Sequence, residues 1–153
     1  MPRGGFYAIH NSSIRFGRDG RWYADGEPIV NARIADLFAR HVERAPGGGY
    51  RLRIADEQAP IVVDDTPFVV VAAGGGTDGG VDIELNDRSR ERLDPATLSV
   101  GADDVLYCRV KQGSESARFL RAAYYQLSPY IIAADGGGFG FRADGRVWPI
   151  GRA

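Results

Sequence analysis

The sequence predicts an α+β fold in which short strands, several joined as hairpins, accompany two amphipathic helices. Three observations carry this. Asp19-Gly20, Asp25-Gly26 and Asp144-Gly145 lie beside extended, apolar-patterned segments and supply the positive φ that tight hairpin turns require. Apolar residues recur at helical spacing near Ile34 and again near Leu120. The resulting order is hairpin, helix, strands, further strands, helix, hairpin, which is not the regular β-α-β alternation of a doubly wound sheet.

Taken in order, the first dozen residues show no periodicity and read as an arm. Ile14-Arg15-Phe16 alternates, Asp19-Gly20 turns the chain, Trp22-Tyr23 starts the returning strand, and Pro28 ends the extended segment. Asn31 is placed to cap a helix whose buried face is Ile34, Leu37, Phe38, His41 and Val42, with Pro46 and Gly47-Gly48-Gly49 as its stop. Tyr50 to Ile54, Pro60 to Val63 and Phe68 to Ala72 read as strands, the last two separated by the turn at Asp64-Asp65-Thr66-Pro67. Val81 to Leu85 alternates with Val81, Ile83 and Leu85 inward, and Val105 to Val110 buries Leu106, Cys108 and Val110; Leu98 to Val100 is a further strand. A second helix is expected from about Ser114, with Ala117, Leu120, Tyr124, Leu127 and Ile131 as its apolar stripe and Pro129 interrupting it. Phe139 to Arg142 and Val147 to Ile150 close the chain as a hairpin. Arg18-Asp19-Gly20-Arg21-Trp22 echoes Arg142 to Trp148, a weak sign of internal duplication.

Bulk properties narrow the function. At 153 residues the chain suits one compact domain or two small lobes. Lys and Arg total 19 against 20 for Asp and Glu, so no overall charge footprint favours duplex nucleic acid or an anionic membrane. Cys108 is the single cysteine, which excludes an intramolecular disulfide and a cysteine metal cluster and favours a reducing compartment. With no apolar run of signal-peptide or membrane-spanning length, a cytoplasmic protein is expected.

Several motifs invite chemistry. Gly74-Gly75-Gly76-Thr77-Asp78-Gly79 matches G-x-G-x-x-G, yet a dinucleotide fold needs a helix directly afterwards and Val81 to Leu85 is a strand pattern. A hairpin tip is the expected reading. Cys108 and His41 fall on buried phases and read as packing residues rather than as a nucleophile and its base, while His10 has no partner at metal-ligand spacing. No metal, cofactor or catalytic group is expected. Asp64-Asp65, Asp103-Asp104 and Glu57 are the clustered carboxylates, and acids in turns are ordinarily solvated turn formers. Arg118, Arg121 and Tyr125 would share one helix face at i, i+3, i+7, where two guanidinium groups beside an aromatic ring suit a phosphate and a stacked base, or else form a solvated face.

The stretch Ile14 to Tyr23 with Gly26, Pro28 and Ile29, then Leu37-Phe38 and Tyr50-Arg51-Leu52, resembles the bacterial domain of unknown function 1285 family. Pro60 to Phe68, Leu120 to Leu127 and the closing Trp148-Pro149-Ile150-Gly151 extend the resemblance over nearly the whole chain. It implies two lobes, 1–66 and 67–153, related by duplication, each an antiparallel sheet packed on one helix, the second like a pleckstrin-homology domain. It also implies a nucleotide-like ligand between the lobes, a role in signal transduction, and no catalytic activity. Carried over by position, the ligand-binding residues would be Glu57, Asp65, Pro67, Arg118, Arg121 and Tyr125. Ala55-Asp56-Glu57-Gln58, Asn86-Asp87-Arg88-Ser89 and Trp148-Pro149 depart from the family pattern and put the ligand's identity in question. Two alternatives stand beside a sensing module: a scaffold for an unknown protein partner, and an enzyme using Glu57 and Asp65 as acid and base.

Overall fold

The computed structural model describes residues 12–76 and 78–152; His10 and the arm around it fall outside them. The fold is mixed α+β, and the chain divides into two compact units, Met1–Pro67 and Phe68–Ala153.

The first unit contains β1 (Ile14–Phe16), β2 (Trp22–Ala24), β3 (Glu27–Pro28), α1 (Ala32–Ala39), β4 (Val42–Arg44), β5 (Tyr50–Ile54) and β6 (Glu57–Val63). They form one sheet in the order β3-β2-β1-β6-β5-β4. The sheet is not wholly antiparallel as expected, because β1 runs parallel to β6, with Ile14 opposite Ile61 and Phe16 opposite Val63. A parallel pair needs a crossover connection, and the segment from β2 through β5 provides it. Asp25 and Gly26, at φ 51° and 84°, form the positive-φ turn between β2 and β3.

Trp22 organises this unit's core. Its ring lies 4.8 Å from Phe16 of the sheet and 5.5 Å from Phe38 of α1, edge-on to the latter, so it joins helix to sheet. Its indole N–H is buried without an acceptor, a cost of about 1–3 kcal/mol that the surrounding aromatic burial outweighs. Asn31 caps α1 as expected, accepting from the backbone N–H groups of Arg33 and Ile34 at 2.9 and 3.2 Å. The helix is shorter than its apolar spacing suggested. It ends at Ala39, and Val42 belongs to β4, paired with Leu52. His41 sits in the turn between, its Nδ1 2.8 Å from the Leu37 carbonyl, where it satisfies one of the helix's last carbonyls.

The second unit holds β7 (Phe68–Gly75), β8 (Val81–Leu85), β9 (Arg90–Arg92), β10 (Ser99–Val100), β11 (Leu106–Val110), β12 (Glu115–Phe119), α2 (Arg121–Leu127), β13 (Ile131–Ala133), β14 (Phe139–Ala143), β15 (Arg146–Pro149) and β16 (Gly151–Arg152). One sheet runs β16-β10-β11-β12-β7-β8-β9, and β13-β14-β15 forms another. Here too the antiparallel expectation fails in part, since β7 is parallel to β12 and β10 to β16. The glycine-rich segment is the tip of the β7–β8 hairpin, closed by Gly76 N–H donating to the Gly80 carbonyl at 2.7 Å. No helix follows it.

The expected second helix is the main correction. Glu115–Phe119 is a strand, and the helix begins only at Arg121. Ala117 and Phe119 are buried two residues apart on the β12 face, and their strand period competes with the helical period of Ala117, Leu120 and Tyr124. Ladder pairing decides it: Ala117, Arg118 and Phe119 align with Phe68, Val69 and Val70, and Leu120 N–H continues to the Val70 carbonyl at 3.0 Å. Pro129 then ends α2 in a 3₁₀ turn, Ser128–Tyr130. Ala123 and Leu127 are the helix's buried residues, in one core with Val70, Leu106, Cys108 and Phe141.

Lys111 fixes the turn after β8. Its ammonium donates to Asp87 Oδ2 at 2.6 Å and to Ser89 Oγ at 3.1 Å, and lies 4.9 Å from the Phe68 ring centre. Burial alone would raise the Asp87 pKa, but hydrogen bonds from Lys111 and Ser89 outweigh it and hold the carboxyl below its ordinary 3.8.

Two outcomes are expected. Asn31→Ala should destabilise the first unit by about 1 kcal/mol in urea unfolding, and Asn31→Asp by much less. Because the folded pKa of Asp87 is depressed, its contribution is complete above pH 3.8 and lost as pH falls through the folded value. Acid unfolding should therefore show a smaller loss below pH 3.8 in Asp87→Asn than in the native chain, read by circular dichroism.

Candidate functional site

A register row in the second unit builds a concavity. In β10, Val100 pairs with Leu106 of β11 on one side and with Arg152 of β16 on the other. Residues opposite one another in a ladder present their side chains to the same face. Arg152, Val100 and Leu106 thus form one row, and all three line a cavity of about 390 Å³. Ile131 and Ile150 complete the apolar wall. The position of Ile150 is set by its N–H donating to the Phe139 carbonyl at 3.0 Å.

Two partly exposed aromatic residues share the lining. Tyr124 projects from α2 at 38 % exposure, and Phe139 starts β14 at 55 % exposure. Asp104 provides a carboxylate on the same lining, in the turn that carries the chain from β10 back to β11. Asp103 and Asp104 both have φ 59°, a left-handed conformation that aspartate tolerates better than most residues. Among the described residues, neither Asp104 nor Arg152 is engaged in an ion pair, with the other or with a third group. The cavity volume falls in the range of small-molecule sites, about 300–1,000 Å³, and its composition is theirs as well: a mainly apolar wall with few polar groups.

The residues anticipated as ligand-binding divide between the units, with Glu57, Asp65 and Pro67 in the first and Arg118, Arg121 and Tyr125 in the second. Arg121 and Tyr125 lie one turn apart on α2 and are both exposed, so they do share a face. Arg118 is on β12, opposite Tyr107, and is not part of that face. Glu57 begins β6, in an open polar groove with Arg51, Arg53 and Gln58, where Arg51 is occupied by Glu43 and Gln58. Asp65 lies beyond the other end of β6 and is exposed, whereas Pro67 is buried. Six steps of roughly 3.3 Å separate Glu57 from Val63, about 20 Å along an extended strand. The acid–base pair that a carboxylate enzyme would need from Glu57 and Asp65 is therefore not formed.

Tyr124 was expected on the buried stripe; it opens onto the cavity instead, because α2 starts after Leu120 rather than near Ser114. Phe139 and Arg152 carry no motif, and the Asp103-Asp104 pair reads from sequence only as a solvated turn former. The tandem Tyr124-Tyr125, whose rings lie 5.9 Å apart on a helix with two buried residues, was the one local signal of an exposed aromatic surface.

Cys108 is 1 % exposed, and burial, with a smaller contribution from Glu91, pushes its thiol up to about 12. Among the described residues, no cluster of three or more His, Cys, Asp and Glu side chains is placed to hold a metal ion, and no helix is long and apolar enough to cross a membrane.

These features define a mixed α+β module with an open amphipathic pocket in its second unit. Solved structures share its fold. A DUF1285 family protein from Silicibacter pomeroyi DSS-3 superposes with a TM-score of 0.69 at 22 % identity, over 98 % of this chain and 90 % of that one. A DUF1285 family protein from Shewanella baltica OS155 superposes with a TM-score of 0.60 at 20 % identity, over 77 % of this chain and 91 % of that one. The likeness establishes the fold and bears out the family resemblance read from the sequence. No protein-family model and no curated protein matches the chain.

With its only thiol buried, the native protein should react with an aromatic disulfide reagent only as it unfolds. The rate should follow urea concentration through the unfolding transition rather than pH between 7 and 9.

Proposed function

We propose that the chain is a non-catalytic small-molecule sensing module and that the pocket of the second unit is its ligand site. One observation carries this reading. Tyr124 and Phe139 are exposed beside an apolar wall, with one cation and one anion on the same lining. Uncovered aromatic surface next to convergent polar groups is what a preformed small-molecule site presents when empty.

The wider reading rests on the family resemblance. It includes a cytoplasmic location, a role in signal transduction, and duplicated lobes of which the second is like a pleckstrin-homology domain. Duplication gains some support from each unit's composition: one short helix and a sheet with a parallel pair, β1 with β6 and β7 with β12. A nucleotide-like ligand gains support from the guanidinium of Arg152 near aromatic rings. Asp104 on the same lining works against it, because a carboxylate repels a phosphate chain.

Ligand-detected nuclear magnetic resonance with neutral aromatic probes, such as indole, tests the pocket. Binding should be present in the native chain and reduced at least about fivefold in Tyr124→Ala/Phe139→Ala, since aromatic contacts contribute about 0.5–1.5 kcal/mol each. Both residues are exposed enough for truncation to leave the core intact. Unchanged binding in the double variant would place the site elsewhere.

A further inference from the structure

We propose that the pocket takes a flat aromatic zwitterion of the α-amino-acid class, its ring against Tyr124 and Phe139, its carboxylate on Arg152 and its ammonium on Asp104. The proposal rests on the pocket being the ligand site and names what that site selects.

The selection follows from the charges. Arg152 is held in the register row with Val100 and Leu106, and Asp104 lies four residues after Val100, in the turn leading into Leu106. Both therefore occur at the same end of the β10–β11–β16 ladder, and both line the cavity. Opposite charges left apart on one lining are each available to a ligand. A guanidinium offers paired N–H donors matched to a carboxylate, and an aspartate accepts from an ammonium. A neutral aromatic fills the wall but leaves both charges unmet. A phosphorylated ligand meets Arg152 and is repelled by Asp104, and an aromatic amine does the reverse. Only a ligand carrying both signs satisfies the two together.

Ring recognition comes from a separate set of atoms. Tyr124 enters from the helix and Phe139 from the start of β14, next to Gly138, whose φ of 78° favours glycine there. Val100, Ile131 and Ile150 provide the apolar surface below. An aliphatic zwitterion satisfies the charges and forgoes the stacking, so it binds more weakly.

Isothermal titration calorimetry on the full chain tests this with L-phenylalanine and L-tryptophan as probes. The comparison ligands are 3-phenylpropionate, 2-phenylethylamine, L-alanine, adenosine monophosphate and indole. The aromatic zwitterions should bind about tenfold or more tighter than either single-charge analogue. Arg152→Ala should abolish the preference over 2-phenylethylamine, and Asp104→Asn the preference over 3-phenylpropionate. Equal or tighter binding of 3-phenylpropionate or adenosine monophosphate would overturn the proposal, as would zwitterion binding indifferent to both substitutions. Should indole bind in a Tyr124- and Phe139-dependent way while no zwitterion does, the class assignment fails and the pocket survives. If no probe binds, both fall.

Discussion

The parallel pairing of β12 with β7 is the constraint on which the second unit depends. Ala117, Arg118 and Phe119 are held opposite Phe68, Val69 and Val70, and Leu120 N–H extends the ladder to the Val70 carbonyl. A backbone so engaged cannot also be helical, so α2 begins at Arg121 and is seven residues long. That start sets the phase of the helix. Ala123 and Leu127 go into the core, and Tyr124 comes to the cavity lined also by Ile131 and Phe139. A helix begun at Ser114 would have placed the same side chains differently. The location of one ring at the proposed site thus follows from hydrogen bonds made before the helix starts.

A second pairing does comparable work at the other wall. β10 and β16 are two residues long each, yet their parallel register places Arg152 beside Val100 and Leu106. Such short strands contribute little stability by themselves and act chiefly as positioning devices. The wall and its cation are consequently assembled from segments about fifty residues apart in sequence, joined through β11 and the turn containing Asp104.

That distribution explains what the sequence revealed. Local signals were legible because their physics is local. Asp25-Gly26 and Asp144-Gly145 form positive-φ turns, Asn31 caps α1, and Leu106, Cys108 and Val110 alternate into the core. The glycine-rich motif is a hairpin tip, as the strand pattern that follows it implies. Errors arose where two periods fit the same residues. Ala117 and Leu120 suit a helix, Ala117 and Phe119 suit a strand, and only pairing with Phe68 to Val70 separates them. The same happens at Val42, where pairing of Val42 with Leu52 and of Glu43 with Arg51 draws the chain away from α1. The pocket was illegible for a stronger reason. Arg152 lies in no motif, and the Asp103-Asp104 pair reads as a turn former; both acquire meaning only through long-range register.

The central claim is that the ligand site belongs to the second unit and is bounded by α2, β13 and the β10–β16 pair. Amide chemical-shift mapping of the uniformly labelled chain, titrated with L-tryptophan, tests it most directly. Saturable shifts should concentrate at Val100, Tyr124, Ile131, Phe139 and residues 150–152. Saturable shifts concentrated instead at Arg51 to Gln58, or the absence of saturable shifts at millimolar ligand, would contradict the account.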